Sequence, residues 1–334
     1  MPTLYLLEPN TRLEKEYGRL LVTQDDEVLL RVPIKNVSGV VLVGYAGATT
    51  QALHALLKQG APLFIVARSG ELLGRLAPPT AFNLPLRQAQ YRRDDEAEFI
   101  LKLALQIVTA KIHNQMILVQ RIARRKKCAF GDVIERLKDS EKAASICTQM
   151  DSLLGIEGSA AKFYFEVFQK AFDPAWEFTR RTRRPPKDAI NALLSLGYTI
   201  LGYAAQSALE IVGLDPYLGY FHQEAYGRPA LALDLVEEFR APLVDSLVMG
   251  LINRRLLKMD DFEKLPQENS KGVYLTRGGM RIFVREFEDR LESTVTPRSI
   301  GRPLSYRKLL EVQARRLANV ILGKESVYQP FRAR

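Results

Sequence analysis

The sequence predicts an α+β protein, with a small β-rich N-terminal domain over residues 1–84 and a larger all-α domain over 85–334. Three observations predict it. Short Leu- and Val-rich runs separated by turn residues occupy the first eighty positions. The proline-interrupted stretch 77–85 breaks any regular element. From about Glu96 onward, apolar residues recur three and four apart over long stretches.

Strands are expected at 3–7, 19–23 and 28–32, bounded by Pro9, Asn10, Gly18 and the turn Gln24-Asp-Asp-Glu27. Two more follow at 37–43 and 63–66. Between them Leu53, Leu56 and Leu57 share one helical face, and Gly60 stands where a helix stops, which predicts a helix over 50–59. Gly70 and Gly74 read as a tight connection. Pro78, Pro79 and Pro85 mark the domain boundary. Beyond it Phe99, Leu103, Ile107 and Val108, then Ile112, Met116 and Val119, describe one long amphipathic helix. An aromatic-rich helix is expected at 163–168, and a short acidic one at 232–238. The stretch 189–209 carries no charge, yet Asn191, Ser195, Tyr198, Thr199, Tyr203, Gln206 and Ser207 make it a poor lipid-facing span. It reads as a buried core helix.

Two cysteines, Cys128 and Cys147, cannot build a disulfide framework or a thiolate zinc site. With no signal-peptide pattern and no membrane span, a cytoplasmic protein is expected. Lys and Arg number 48 against 38 Asp and Glu, a net charge of +10, and residues 1–80 contribute only +1 of it. The positive field therefore belongs to the helical part, where a polyanion would bind.

Some familiar patterns carry nothing. Ser159-Ala-Ala-Lys162 lacks the companion motifs of an acyl-transfer serine, and His222-Gln-Glu224 lacks the paired cysteines of a zinc deaminase. There is no phosphate-binding Walker loop and no dinucleotide fingerprint. Three features remain. His222 ends a Gly- and Pro-broken connection, just before a segment holding Asp234, Glu237 and Glu238. On a helix, Asp234 shares a face with both glutamates, an arrangement that suits a divalent cation and equally an acidic surface. Glu157 lies between Gly155 and Gly158, which fits a close phosphate approach and equally a helix start. The run Arg180-Arg-Thr-Arg-Arg-Pro-Pro-Lys187 is held extended by its prolines, so its cations suit a track of phosphates or a solvated loop.

Together, Gly155-Ile-Glu-Gly158, the segment from Arg183-Arg-Pro-Pro-Lys187 to Tyr198, the segment Gly213-Leu-Asp-Pro-Tyr-Leu-Gly-Tyr-Phe-His222 and the segment Leu231-Ala-Leu-Asp-Leu-Val-Glu-Glu-Phe-Arg240 occur in an order that closely resembles the CRISPR-associated integrase of the adaptation module, the universal first Cas protein. Gly39-Val-Val-Leu-Val-Gly44 is similar to that family's β-domain. The resemblance implies a dimerising N-terminal domain and a helical domain with a Mg²⁺ or Mn²⁺ site. It maps the metal ligands onto Glu157, His222 and Glu237, with Asp234 as a supporting acid. It also implies insertion of short foreign double-stranded DNA at a CRISPR repeat, by a homodimer bridged by a small ferredoxin-like partner. Arg180, Arg181, Arg183, Arg184 and Lys187 are the expected phosphate contacts. Two alternatives stand beside the integrase: a metal-dependent nuclease of branched or single-stranded DNA, and a non-catalytic DNA-binding scaffold.

Overall fold

The structure is a computed structural model that describes all residues except 1–2, 68–71, 77–82, 183–184, 223–226 and 265–271. Gly70, Pro78 and Pro79 lie outside the described residues.

Among the described residues, the N-terminal region holds two sheets. Strands β1 (Thr3–Leu6), β2 (Thr11–Glu16), β3 (Arg19–Gln24), β4 (Glu27–Pro33), β5 (Gly39–Val43) and β6 (Gly47–Ala48) precede helix α1 (Thr50–Gln59), and β7 (Leu63–Val66) and β8 (Leu72–Leu76) follow it. One sheet has the order β4-β3-β2-β6, and the other β1-β5-β7-β8. In the second, β1, β5 and β7 run parallel, with Val40 opposite Leu4 and Leu63, and β8 returns antiparallel. Parallel neighbours need a crossover, which α1 supplies between β5 and β7. The Thr49 side chain caps its first turn, and Gly60 at φ +79° ends it. Leu6, Leu13, Leu20, Val40, Leu42, Leu56 and Leu63 fill the core between these elements.

Strands β2 and β8 lie outside the sequence expectation. In β2, Thr-Arg-Leu-Glu-Lys-Glu, only Thr11 and Leu13 are buried, so its composition reads as a loop although its ladder to β3 is complete. Gly74 is paired inside β8 rather than closing a turn.

The described residues form two compact units, and the chain returns to the first after leaving it. Residues 260–264 and 274–289 join the N-terminal strands, where the prolines predict a single cut after residue 84. The ties are polar: Glu288 accepts from the Thr3 N–H and the Tyr5 hydroxyl, both at 3.1 Å, and Arg281 pairs with Glu8.

The second unit is mostly helical. It contains α2 (Leu84–Arg93), α3 (Ala97–Lys126), α4 (Gly131–Ser145), α5 (Met150–Phe168), α6 (Ala189–Val212), α7 (Ala230–Glu237) and α8 (Ser246–Asn253). In the segments that return to the first unit, short strands β9 (Phe262–Lys264) and β10 (Val273–Leu275) precede α9 (Arg277–Glu292), and in the second unit the strands β11 (Thr294–Val295) and β12 (Leu304–Ser305) precede α10 (Tyr306–Ile321). These short two-stranded ladders are the β-structure described in a C-terminal region that is otherwise helical, as the sequence predicts. Helix α3 packs against α4, α5 and α7, while α6 packs against α7 and α10. No helix among the described residues is long and apolar enough to cross a membrane.

The last residues thread into this unit. Tyr328, Phe331 and Ala333 are buried. Asn114 of α3 donates to the Phe331 carbonyl at 3.0 Å and accepts from the Ala333 N–H at 2.7 Å.

Candidate active site

The three acidic and imidazole candidates arrive on separate elements of the helical unit. Glu157 sits in the middle of α5, not ahead of a helix as its glycines suggest. Gly155 and Gly158 face open space, and the helix is held by Leu153, Ala160, Tyr164, Val167 and Phe168 on its buried side. Glu237 is the last residue of α7, and His222 lies in the connection between α6 and α7.

That connection is pinned at three places. Gly213 ends α6 at φ +99°, with a side-chain atom of Asn83 2.8 Å from where its Cβ would stand. Gly219 passes so close to the start of α7 that a Cβ would lie 2.7 Å from Ala230. Gln90, fully buried on α2, donates to the Asp215 and Leu218 carbonyls at 2.8 and 3.2 Å and accepts from the Asp215 N–H at 2.8 Å.

Asp234 completes the arrangement. One of its oxygens accepts from the Tyr220 and Phe221 N–H groups at 2.7 and 3.0 Å. The other accepts from the His222 N–H at 2.9 Å and meets His222 Nδ1 at 2.8 Å. A carboxylate has about four lone-pair positions, and all four are taken, so Asp234 supports the site by orientation and has none left for an ion. An acceptor-only carboxylate at Nδ1 keeps the ring proton there. The Nε2 lone pair then faces Glu237 Oε1, 3.6 Å away.

Two cations that the sequence reading did not single out complete the cluster. The Lys111 ammonium of α3 pairs with Glu157 and lies 2.7 Å from Glu237 Oε2. Arg240 lies 3.1 Å from Glu237 Oε1. Burial by itself raises the Glu237 carboxyl, but the Arg240 and Lys111 cations, joined by His222 when its ring is protonated, outweigh it and hold it at about 2. Lys111 was visible in the sequence as an interruption: the ridge Phe99, Leu103, Ile107 continues at its four-residue step onto a lysine.

The donor set suits a divalent cation. Both oxygens of Glu237 are buried without a well-aligned hydrogen bond, despite the cations beside them. A bare imidazole nitrogen facing a carboxylate oxygen is an arrangement that a shared cation relieves. Among the described residues no three His, Cys, Asp or Glu side chains close into a ready-made cage, and the carboxylates here are paired with Lys111 and Arg240.

Next to the cluster, Pro242 has no N–H to give the Glu238 carbonyl four residues back, and Asn114 Nδ2 donates to it at 2.7 Å instead. The Glu238 carboxyl is fully buried, with donors in the C-terminal segment: the Tyr328 hydroxyl and the Phe331 N–H, along with Gln313 of α10 at 2.9 Å. Burial pushes it up to about 7.

Residues 240–245 form a π-helical turn that ends on Asp245, which accepts the Tyr164 and Tyr198 hydroxyls at 2.6 and 2.5 Å. Burial raises its carboxyl to about 6, against these bonds and the nearby Arg240 and Arg181. A folded pKa above the unfolded value means that the native state binds the proton more tightly. Asp245 therefore lowers stability as pH rises from about 4 to about 6, by on the order of 3 kcal/mol. Melting temperatures from pH 5 to 7.5 should fall more steeply for the parent than for Asp245→Asn; parallel curves would refute this linkage.

The basic run lies at the start of α6. Asn191, fully buried, donates to the Arg180 carbonyl at 2.8 Å and accepts from the Thr182 N–H at 2.9 Å. Arg181 is drawn inward: it bonds Asn191 and Ser195 and stacks over Tyr198. Arg180 and Lys187 are exposed, and Arg183 and Arg184 lie outside the described residues.

The comparisons agree with one another. The family model described as "CRISPR associated protein Cas1" matches residues 4–289. The chain is 36% identical to CRISPR-associated endonuclease Cas1 3 of Thermus thermophilus, over 99% of its own length and 97% of that protein's. Its fold is similar to a casposase bound to integration product, with a TM-score of 0.86 and 25% identity, covering 98% of this chain and 93% of that one. A chain of a Cas6-RT-Cas1–Cas2 complex gives 0.84 and 30% identity over 98% of this chain and 36% of that chain. A β-strand region followed by a mostly helical one, a match over nearly the whole length and a full-length relative above 30% identity lead to one conclusion: the chain belongs to the Cas1 family of CRISPR-associated proteins.

Proposed function

We propose that this protein is a metal-dependent DNA integrase of CRISPR adaptation, joining short foreign duplexes to the array by attack of a 3′-hydroxyl on the phosphodiester at a repeat border. The observation that carries this reading is the convergence of Glu157, Glu237 and the bare Nε2 of His222 from three separate elements. The casposase neighbour, bound to integration product, supports it.

Glu157, Glu237 and His222 Nε2 would hold Mg²⁺ or Mn²⁺, which supplies Lewis-acid stabilisation of the phosphate and favours loss of the hydroxyl proton. The protein's own groups do the rest. Asp234 keeps the Nδ1 proton in place, and Gln90 fixes the connection that carries His222. Arg240 and Lys111 neutralise charge around the reacting phosphate. One phosphodiester is exchanged for another, so no nucleotide need be hydrolysed, in keeping with the missing Walker loop. Hydrolysis by the same groups, with water as nucleophile, would give the endonuclease activity named for the relatives.

As partners we propose double-stranded DNA, a second copy of this chain and a small ferredoxin-like protein, the counterpart of Cas2 in the Cas6-RT-Cas1–Cas2 complex. The outer strand β4, with Val28, Leu29 and Leu30 exposed, suits the homodimer contact. A protein acting on the CRISPR array works where the genomic DNA is, so the cytoplasm is the localisation we propose.

Strand transfer tests the function. Labelled short duplex, a supercoiled plasmid carrying a repeat, and Mg²⁺ or Mn²⁺ should give label joined to plasmid, absent with His222→Ala or chelator. Nicked plasmid without joined label would replace the integrase by the nuclease, and no metal-dependent product would leave a scaffold.

The basic run divides in the same assays. Arg183→Ala with Arg184→Ala should flatten the salt dependence of DNA binding by about one unit per lost phosphate contact. Arg181→Ala, which removes a packed side chain, should instead lower the melting temperature. An unchanged salt slope in the double variant would remove those two arginines from the DNA surface.

A further inference from the structure

Lys111 carries a charge that opposes the proposed occupant of the site. Its side chain is 9% exposed, and its ammonium touches both candidate carboxylate ligands, Glu157 and Glu237. Isolated buried ammonium groups are costly, and so are two carboxylates held close together. Each offsets the cost of the other here, so the pair of carboxylates stays in register without a metal. A divalent ion needs the same oxygens. With Lys111 and Arg240 both in place it would leave the cluster with a surplus of positive charge, which a DNA phosphate would neutralise.

We propose that Lys111 is a resident counter-cation that holds Glu157 and Glu237 together in the metal-free protein and competes with the divalent ion for their oxygens. The inference rests on the proposed metal site and adds a consequence to it. Metal affinity is set by an internal lysine, and the ammonium displaced by the ion becomes a partner for the DNA phosphate. Metal and DNA then bind with positive coupling.

The test is Mn²⁺ binding to the full-length protein, read by calorimetry and by the melting temperature, in the parent, Lys111→Met, Lys111→Arg and Glu157→Gln. Without metal, Lys111→Met should melt lower than the parent, because the buried Glu237 and the half-buried Glu157 lose their common cation. Mn²⁺ should bind it about tenfold or more tightly and raise its melting temperature by more than it raises the parent's. Lys111→Arg keeps the charge, so it should bind Mn²⁺ no more tightly than the parent, and it covers the case in which Lys111→Met does not fold. Mn²⁺ binding by Lys111→Met but not by the parent would also support the competition. Equal or weaker binding by Lys111→Met would overturn the competition while leaving the metal site standing, and so would tighter binding by Lys111→Arg. No binding to either the parent or Lys111→Met, or binding unchanged in Glu157→Gln, would overturn the metal site and the inference together.

Discussion

Glu237→Gln is expected to abolish strand transfer, lowering it about 10³-fold or more, the scale of several kcal/mol of lost charge stabilisation. The same variant should lose stability, and the pairing of the two effects is diagnostic. Glu237 is 1% exposed and neutralises two cations, the buried Lys111 and the half-buried Arg240. An amide in its place leaves both with one charge partner fewer, and breaking a buried pair costs about 3–5 kcal/mol. Glu157→Gln should lose activity to a similar degree with a smaller drop in melting temperature, because Glu157 is 21% exposed and water can take over part of its role. Strand transfer and thermal melts measured on both variants check this. Retained activity in Glu237→Gln would remove that residue from the site.

Asp234→Asn is expected to lower activity by about 10–100-fold, the usual loss when the group that orients a metal-binding histidine is changed. The physical reason lies in the four donors around the carboxylate: three backbone N–H groups and Nδ1 of His222. An amide offers one oxygen, and its NH₂ faces donors, so at least two of these groups lose their acceptor. Residues 220–222 should then open, which hydrogen exchange of their amides would show as faster labelling. Full activity with unchanged exchange would mean that Gln90 and the glycines hold the connection without Asp234. The Tyr220 hydroxyl, which donates to the Gln90 carbonyl at 3.0 Å, should remain bonded in either case.

Much of the fold was legible because its signals are local. Helix α1 could be read from three leucines and a glycine stop, and α6 from an uncharged stretch with too many polar groups for lipid. The failures are equally physical. Gly155 and Gly158 read as a break, since each costs about 1 kcal/mol inside a helix, but the buried face of α5 outweighs that cost. Strand β2 was hidden by its charged residues, because its ladder is made by the backbone and only Thr11 and Leu13 turn inward. The return of residues 274–289 to the N-terminal strands depends on pairs such as Glu288 with Tyr5, which no local pattern reveals. At the site, Glu157, His222 and Glu237 were reached through family resemblance. Lys111, Arg240, Gln90 and Asp245 were missed because their meaning lies in what they touch. Of these, Lys111 alone left a trace, a charge on an apolar ridge.

The C-terminal segment gives the protein an order of assembly. Synthesis exposes α3 and α7 long before residues 328–333, yet Asn114 closes on Phe331 across 217 positions and Glu238 across 93. Until those residues leave the ribosome, the acid beside Glu237 is without two of its donors, and the helical unit cannot finish folding as it emerges. A nascent chain stalled before Tyr328 would therefore carry every candidate ligand and still lack the framework that sets Glu237 in place. Residues 328–331 thus act as a late closing step for the framework around Glu238.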